Sequence, residues 1–400
     1  MSNSPQIRVS IDVGYRQHSV AVGLSNGELL DEFEIAHDPH GFDAFFTRIE
    51  SHQGLYDGEI AVAMEGYNGF ARPLDSLVQK RRWQLYNINN LKLARFKEIF
   101  PAAAKSDRID ARRALELFQL QDHLPLAKRV LQRVPPGSLC NAKLKRLTRR
   151  RRTLVDDKVQ VLNRFQSDLQ AVCPCLLGIT RHADNLWFLR LITQVSTLPK
   201  LARLREKTLL KIPSIGRNYV AIIRQWQKRA RFSGEVDYVG PMIIDDAKRI
   251  LQLHTQIKEL EVQCAELIND SPMAQRIDSI PGFATVCASE LAGEIGTIER
   301  FAHEGSLAVY LGMANLDRSS GASKGAKAPR HVNTRAKRAM MTGVDRQRKQ
   351  VPQSQRYYEK KRAEGKGHNQ AIRALGRHLC RILFTMLKND RDYETRTETA

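Results

Sequence analysis

The sequence has no apolar run long enough to cross a bilayer; its hydrophobic stretches fall well short of the ~18 residues that a spanning helix needs. The first residues, "MSNSPQIRVS", lack the apolar centre of a secretory signal, so none is expected. Cysteine is sparse. Cys140, Cys173, Cys175, Cys264, Cys287 and Cys380 are scattered apart from one Cys-Pro-Cys, with no second pair or histidine cluster at zinc-ligand spacing. Reduced thiols in a cytoplasmic protein are the simpler expectation. Acids are also in deficit. Lys and Arg total 64 against 43 Asp and Glu, giving a formal charge of +21. Such a surplus is solvated or neutralised by a partner, and nucleic acid leads because Lys and Arg contacts to phosphate release condensed counterions. A generally basic soluble protein is the plainer alternative. With 400 residues, 42% of them apolar, the chain can bury a sizeable core in two to three domains.

The first third alternates in strand and helix periods. In "IRVSID", Ile7, Val9 and Ile11 fall on one face and Arg8, Ser10 and Asp12 on the other. "HSVAVGL" and "LLDEFEIA" read as further strands joined through "SNGE", and "GFDAFFTRIESH" as a helix. Then follow strand "GEIAVAME", helix "ARPLDSLVQKRR", short strand "WQLYNIN" and helix "NLKLARFKEIF". An antiparallel start followed by alternating units predicts a mixed sheet with helices packed on it. From about 138 the periods lengthen. Leu162, Phe165, Leu169 and Val172, and then Ile250, Leu253, Ile257, Leu260, Cys264 and Leu267, recur at three- and four-residue spacing. Both seams predict long helices packing in coiled-coil fashion, within one chain or between two. The expected division is an α/β domain over 1–130, a helical region over 131–270, a mostly helical domain over 271–390 and a polar tail over 391–400. In the third region "DRSSGASKGAKAPRHVNTRAKR" reads as a Gly- and Ser-rich basic loop between helices.

Two acids stand inside one of the most basic stretches, "AAAKSDRIDARRALEL". Ser106 is a suitable N-cap, and Asp107 and Asp110 then share one face of the helix it starts. Taken alone, the pair is as well explained by the helix dipole, which favours acids in the first turn. Asp12 near the end of the first strand and Glu65 at the end of the fourth change the balance. Strand ends and a following helix N-terminus can meet at one rim of a sheet, and four carboxylates there suit Mg²⁺ or Mn²⁺. Two such ions can clamp the attacking and leaving oxygens of a phosphodiester.

With these residues in view, "SIDVGYRQHSVAVG", "AMEGYNGF" and "AKSDRIDARRALEL" resemble the acidic blocks of the DEDD transposases of the 110 family of insertion sequences. "SIPGFATVCASELAGEIGTIERFAHEGSLAVYLGM" followed by "SSGASKGAK" resembles the second domain of the same family. The resemblance implies a RuvC-like, ribonuclease-H-fold N-terminal domain and an RNA-guided DNA recombinase. It implies metal binding by Asp12, Glu65, Asp107 and Asp110. It also implies a serine nucleophile before a glycine, which falls on Ser320, with Ser319 and Ser323 as neighbours. The implied partners are a guide RNA of the bridge type, donor and target DNA, and a second copy of the chain in a dimer or tetramer. Acids and serine would then come from different protomers. "GMANLDRSSG" lacks the Thr-Pro often found before that serine.

The cations cluster twice. "KLKRLTRRRR" carries Lys143, Lys145, Arg146, Arg149, Arg150, Arg151 and Arg152 with no acid. Around the Ser-Gly loop lie Lys324, Lys327, Arg330, Arg335, Lys337 and Arg338. Both clusters fit contact with a phosphate backbone, and each is also readable as a solvated helix face. "SIPGFA" resembles the turn of a helix-hairpin-helix, or a simple Pro-Gly turn. Two rival functions remain open: a RuvC-like metal-dependent nuclease or junction resolvase with no covalent intermediate, and a non-catalytic nucleic-acid-binding protein.

Overall fold

The structure is a computed structural model, which describes residues 6–65, 69–100, 106–121, 131–320, 323–327, 329 and 332–394, with backbone alone at 317–320, 323, 324 and 326. The chain divides into two compact units, 1–136 and 137–400.

The first unit is built on a mixed six-stranded sheet. Its strands are β1 (Ile7–Val13), β2 (Gln17–Leu24), β3 (Leu29–Ala36), β4 (Ile60–Glu65), β5 (Gln84–Ile88) and β6 (Leu131–Arg133), in the spatial order β3-β2-β1-β4-β5-β6. The helices are α1 (Pro39–Tyr56), α2 (Arg72–Lys80), α3 (Asn90–Lys97) and α4 (Asp107–Leu120). β1, β2 and β3 pair antiparallel, whereas β4 pairs parallel to β1 and β5 parallel to β4. This is the expected α/β, ribonuclease-H-like arrangement. β6 was not expected, because three residues carry no readable period; it pairs antiparallel to β5 and extends the sheet beyond residue 130.

Both faces of the sheet are covered. Ile7, Val9 and Ile11 pack with Phe42, Phe45, Phe46 and Ile49 of α1 and Leu74 and Val78 of α2. The face carrying Arg8 and Ser10, the polar side of β1 in sequence, is buried as well, under α4. Small side chains make that possible. Ala21 of β2 and Ala61 and Ala63 of β4 leave room for Ala111, Ala114, Leu115 and Phe118 of α4. Arg8 and Ser10 survive burial because each donates a hydrogen bond to a carbonyl of α4, those of Phe118 and Ala111.

The second unit is helical apart from one hairpin. Its elements are α5 (Leu139–Val172), α6 (Leu186–Ile192), α7 (Glu206–Leu209), α8 (Arg217–Gln227), α9 (Val236–Ile268), α10 (Pro272–Asp278), α11 (Thr285–Ile295), α12 (Glu304–Tyr310), β7 (Leu316–Ser320), β8 (Ser323–Lys327), α13 (Thr334–Gln350), α14 (Pro352–Ala363) and α15 (His368–Lys388). The two seams pack together within one chain. Phe165, Leu169 and Val172 of α5 share a cluster with Ile243, Ile244, Ala247 and Ile250 of α9, and Leu154 meets Leu253 and Ile257. A second cluster runs without a break from Leu144, Cys264 and Ile268 to Phe283, Leu291, Met340 and Leu383, so the helices before and after residue 270 form one body. The basic loop read from "DRSSGASKGAK" is instead the β7–β8 hairpin, with Ser319 opposite Lys324 and Ser320 opposite Ser323. Backbone pairing holds it; no apolar alternation exists in those residues to announce a strand.

Two helices of this unit approach closely at Gly293 of α11, where a Cβ would stand 2.6 Å from the Lys145 nitrogen and 2.7 Å from its Cα on α5. Overpacking costs ~1–3 kcal/mol, and here neither side can give because both are main chain. Gly293→Ala is therefore expected to lose about 3 kcal/mol, read as a lowered thermal midpoint; an unchanged midpoint would show that α5 and α11 can separate.

Candidate active site

The site forms at the carboxyl ends of β1 and β4, which lie side by side and parallel. Ile11 is the register partner of Met64, so Asp12 and Glu65 are the next residues on adjacent strands. α4 brings the other two acids. Ser106 caps it as expected, its hydroxyl accepting from the Ile109 amide at 3.3 Å, and places Asp107 and Asp110 in the first turn. The helix is fastened along its length: besides the Arg8 and Ser10 bonds, Gln119 Nε2 donates to the carbonyls of Leu24 at 3.0 Å and Glu28 at 3.1 Å. On the outer side Arg108 and Arg112 both reach Glu32 of β3, and these guanidinium groups hold its carboxyl below the usual range, Arg112 foremost.

The electrostatics bring the four acids together. Burial pushes the Asp12 carboxyl from 3.8 up to about 6, and the charges of Glu65, Asp110 and Asp107 push in the same direction. Lys97 at the end of α3 opposes them, its Nζ 3.0 Å from Asp110 Oδ1. A cation is thus already drawn to the cluster. Among the described residues, no three His, Cys, Asp or Glu side chains close on one point at ligand distance. The acids are electrostatic neighbours whose hard oxygens and mutual repulsion fit a divalent ion. Lys97 had no signal in the sequence beyond membership of a basic helix.

Two family profiles match the chain in order, one described as "Transposase", with a DEDD acidic set, over residues 9–174, and one as "Transposase IS116/IS110/IS902 family" over 274–359. The chain belongs to the IS116/IS110/IS902 family of transposases. It is similar to an insertion element IS116 protein of Streptomyces clavuligerus, 25% identical over 96% of each chain. It also resembles an insertion element IS110 protein of Streptomyces coelicolor, 27% identical over 76% of each. A shorter match to an insertion element IS900 protein of Mycobacterium paratuberculosis is 35% identical over 38% of this chain and 39% of that one. A transposase acts on DNA, and its DEDD set implies a divalent metal.

The other predicted residues fare unequally. Ser320, with Ser319, lies on β7 of the second unit, while Ser323 begins β8. The "KLKRLTRRRR" run is partly turned inward. Arg149 pairs with buried Glu294 at 2.7 Å, Arg152 with buried Glu290 at 2.8 Å, and Arg151 with Glu261 at 2.7 Å. Burial lowers the Lys145 ammonium to about 8 despite Glu294 nearby. Arg146 also has partners within the chain. Lys143 and Arg150 stay exposed. The reason is the amphipathic period: a ten-residue run on a packed helix cannot turn every cation outward, and α11 answers Arg149 and Arg152 with glutamates four apart while α9 answers Arg151 with Glu261. Around the hairpin, Lys327, Arg335 and Arg338 are exposed and Lys337 half-buried, with one long contact from Arg338 to Asp156 at 3.5 Å. The Lys324 side chain and Arg330 lie outside the described residues. The "SIPGFA" turn sits against α13: Gly282 has φ +86, and a Cβ there would meet the Gln347 nitrogen at 2.4 Å. It packs as a tight Pro-Gly turn. Among the described residues, no helix is long and apolar enough to cross a membrane.

Asp12 yields a testable consequence. Its folded carboxyl titrates near 6, above the ordinary 3.8, so its charge opposes folding once pH exceeds about 6, and the penalty fades as pH falls toward 3.8. After allowance for its partial exposure, Asp12→Asn is expected to stabilise the metal-free protein by on the order of 1 kcal/mol at pH 8 and by nothing near pH 4. Thermal melts in EDTA at the two pH values measure this; equal shifts at both would refute the repulsion.

Proposed function

We propose that this transposase is an RNA-guided DNA recombinase that cuts and rejoins donor and target DNA through a phosphoserine intermediate at Ser320. The observation that carries the reading is the Asp12 carboxyl, raised by burial and then by three neighbouring acids where the ends of β1, β4 and α4 meet. In this reading Asp12, Glu65, Asp107 and Asp110 hold Mg²⁺ or Mn²⁺, which when bound supplies Lewis-acid stabilisation of charge on the reacting phosphate. Lys97 fixes the direction of the Asp110 carboxylate. A serine hydroxyl is a weak nucleophile at its free pKa and needs activation. Ser320 Oγ bonds to phosphorus, a DNA oxygen leaves, and a DNA hydroxyl later displaces the serine to rejoin the strand.

The cations after the hairpin support the DNA contact. Arg335, Lys337 and Arg338 occupy the first turns of α13. A helix dipole disfavours cations there, so they do not serve the helix, and phosphate is their natural counter-charge. Lys143, Arg150, Lys324, Lys327 and Arg330 are further phosphate contacts in this reading. No base-reading motif stands out in the sequence, which suits a protein that leaves sequence recognition to a guide RNA. Self-association in the cytoplasm, as a dimer or tetramer in which different protomers supply acids and serine, completes the proposal.

The deciding experiment incubates purified protein with guide RNA, Mg²⁺ and end-labelled donor and target DNA, followed by a denaturing gel. A labelled protein–DNA adduct is expected for the wild type and its absence for Ser320→Ala. Asp107→Asn should abolish cleavage while RNA binding stays within about twofold. Cleavage with no adduct in any protein would favour the nuclease that uses water; an adduct that survives in Ser320→Ala would move the nucleophile to Ser319 or Ser323.

A further inference from the structure

The loops that leave the acidic strand ends carry an unusual pair of side chains. Tyr15 follows Asp12 in the turn between β1 and β2, and Phe70 lies between Glu65 and α2. Their rings meet edge to face with centroids 5.7 Å apart and planes at 84°. Both point into solvent, Tyr15 at 74% and Phe70 at 61% exposure, which makes them the two most exposed aromatic side chains among the described residues. A ring pair of this kind normally buries its faces, since aromatic area is the largest hydrophobic payload a side chain carries. Neither ring belongs to the core clusters of its unit. Exposed Arg16 directly follows Tyr15, and exposed Arg72 lies two residues after Phe70. Flat apolar faces, exposed arginines close by in sequence, and a cluster of carboxylates at the adjoining strand ends together describe a platform for an unpaired base on a phosphate backbone.

We propose that Tyr15 and Phe70 form a base-stacking platform that holds unpaired DNA bases beside the acids, so that the strand to be cut is presented in single-stranded form. The proposal rests on the reading of the four acids as the cutting site, and it deepens that reading by naming how the strand is gripped. The acids repel the backbone, so a neutral contact next to them has to supply the local affinity. Stacking does so without regard to base identity, which suits a protein that takes its sequence information from elsewhere. In the edge-to-face geometry the edge of one ring covers only one face of the other, so the pair leaves faces for one or two bases.

The test needs neither metal nor serine, so its failure is distinguishable from that of the proposed reaction. Full-length protein in EDTA is titrated against a single-stranded oligodeoxynucleotide carrying 2-aminopurine, at raised salt to suppress phosphate contacts. The same oligonucleotide with 5-iododeoxyuridine is photo-crosslinked and the attachment mapped by mass spectrometry. Wild type should quench the aminopurine and crosslink at Tyr15 or Phe70. Tyr15→Ala and Phe70→Ala should each weaken single-strand binding roughly tenfold, with duplex binding and thermal midpoint unchanged. Tyr15→Phe and Phe70→Tyr should bind as wild type. Equal loss on single strand and duplex, retention of quenching in the alanine variants, or a loss confined to single-stranded RNA would each overturn the proposal.

Discussion

The acidic cluster depends on how α4 is held to the sheet. Asp107 and Asp110 can stand beside Asp12 only if the first turn of α4 is pressed against the end of β1. Three buried polar side chains do this, Arg8 and Ser10 reaching up from β1 to carbonyls of α4 and Gln119 reaching from α4 to the carbonyl of Leu24. Hydrogen bonds to backbone fix the position of the helix along its axis, which apolar packing alone does not. The alanines of β2 and β4 set how closely it lies. The strap serves a cluster that repels itself, so the energy of holding four acids together is supplied by contacts spread along the helix from Ala111 to Gln119.

The same economy governs the second unit. Glu290 and Glu294 lie one turn apart on α11, almost wholly buried, and each takes an arginine from α5. Asn333 donates to Glu294 at 2.8 Å and to the Tyr310 hydroxyl at 2.7 Å, and its own side chain caps α13. The helix that follows the β7–β8 hairpin is therefore anchored in the same polar node that receives the α5 arginines. Breaking one partner of such a pair leaves a buried charge uncompensated, so the node holds α5, α11 and α13 in one register. The charge surplus of the chain consequently divides in two. Part of it is structural, as in the α5 arginines, and part is left outside, as at Lys143, Arg150, Arg335 and Arg338.

Where the chain's periods were strong, the elements could be read directly. β1 to β5 and α1 to α4 follow from alternation, from turn residues and from the Ser106 cap. The four acids were legible because three of them sit at predictable ends of those elements. Other features left no trace in the sequence. β6 is too short to show a period, and the hairpin has no apolar face. The inward turn of Arg149, Arg151 and Arg152 depends on which sides of α5 meet α11 and α9. Lys97 and the Tyr15–Phe70 pair are neighbours of the acids only through the fold.

The sequence by itself determined the local elements, the mixed sheet, the long helices and the acidic blocks, because these depend on spacing along the chain and on the period of apolar residues. The tertiary structure decided which charges face each other. It buried one polar face of β1 under α4, turned an apparent basic stripe into ion pairs, and set an exposed aromatic pair at the acidic rim. Pairings between residues a hundred positions apart follow from which faces pack, and no pattern within one element encodes its partner.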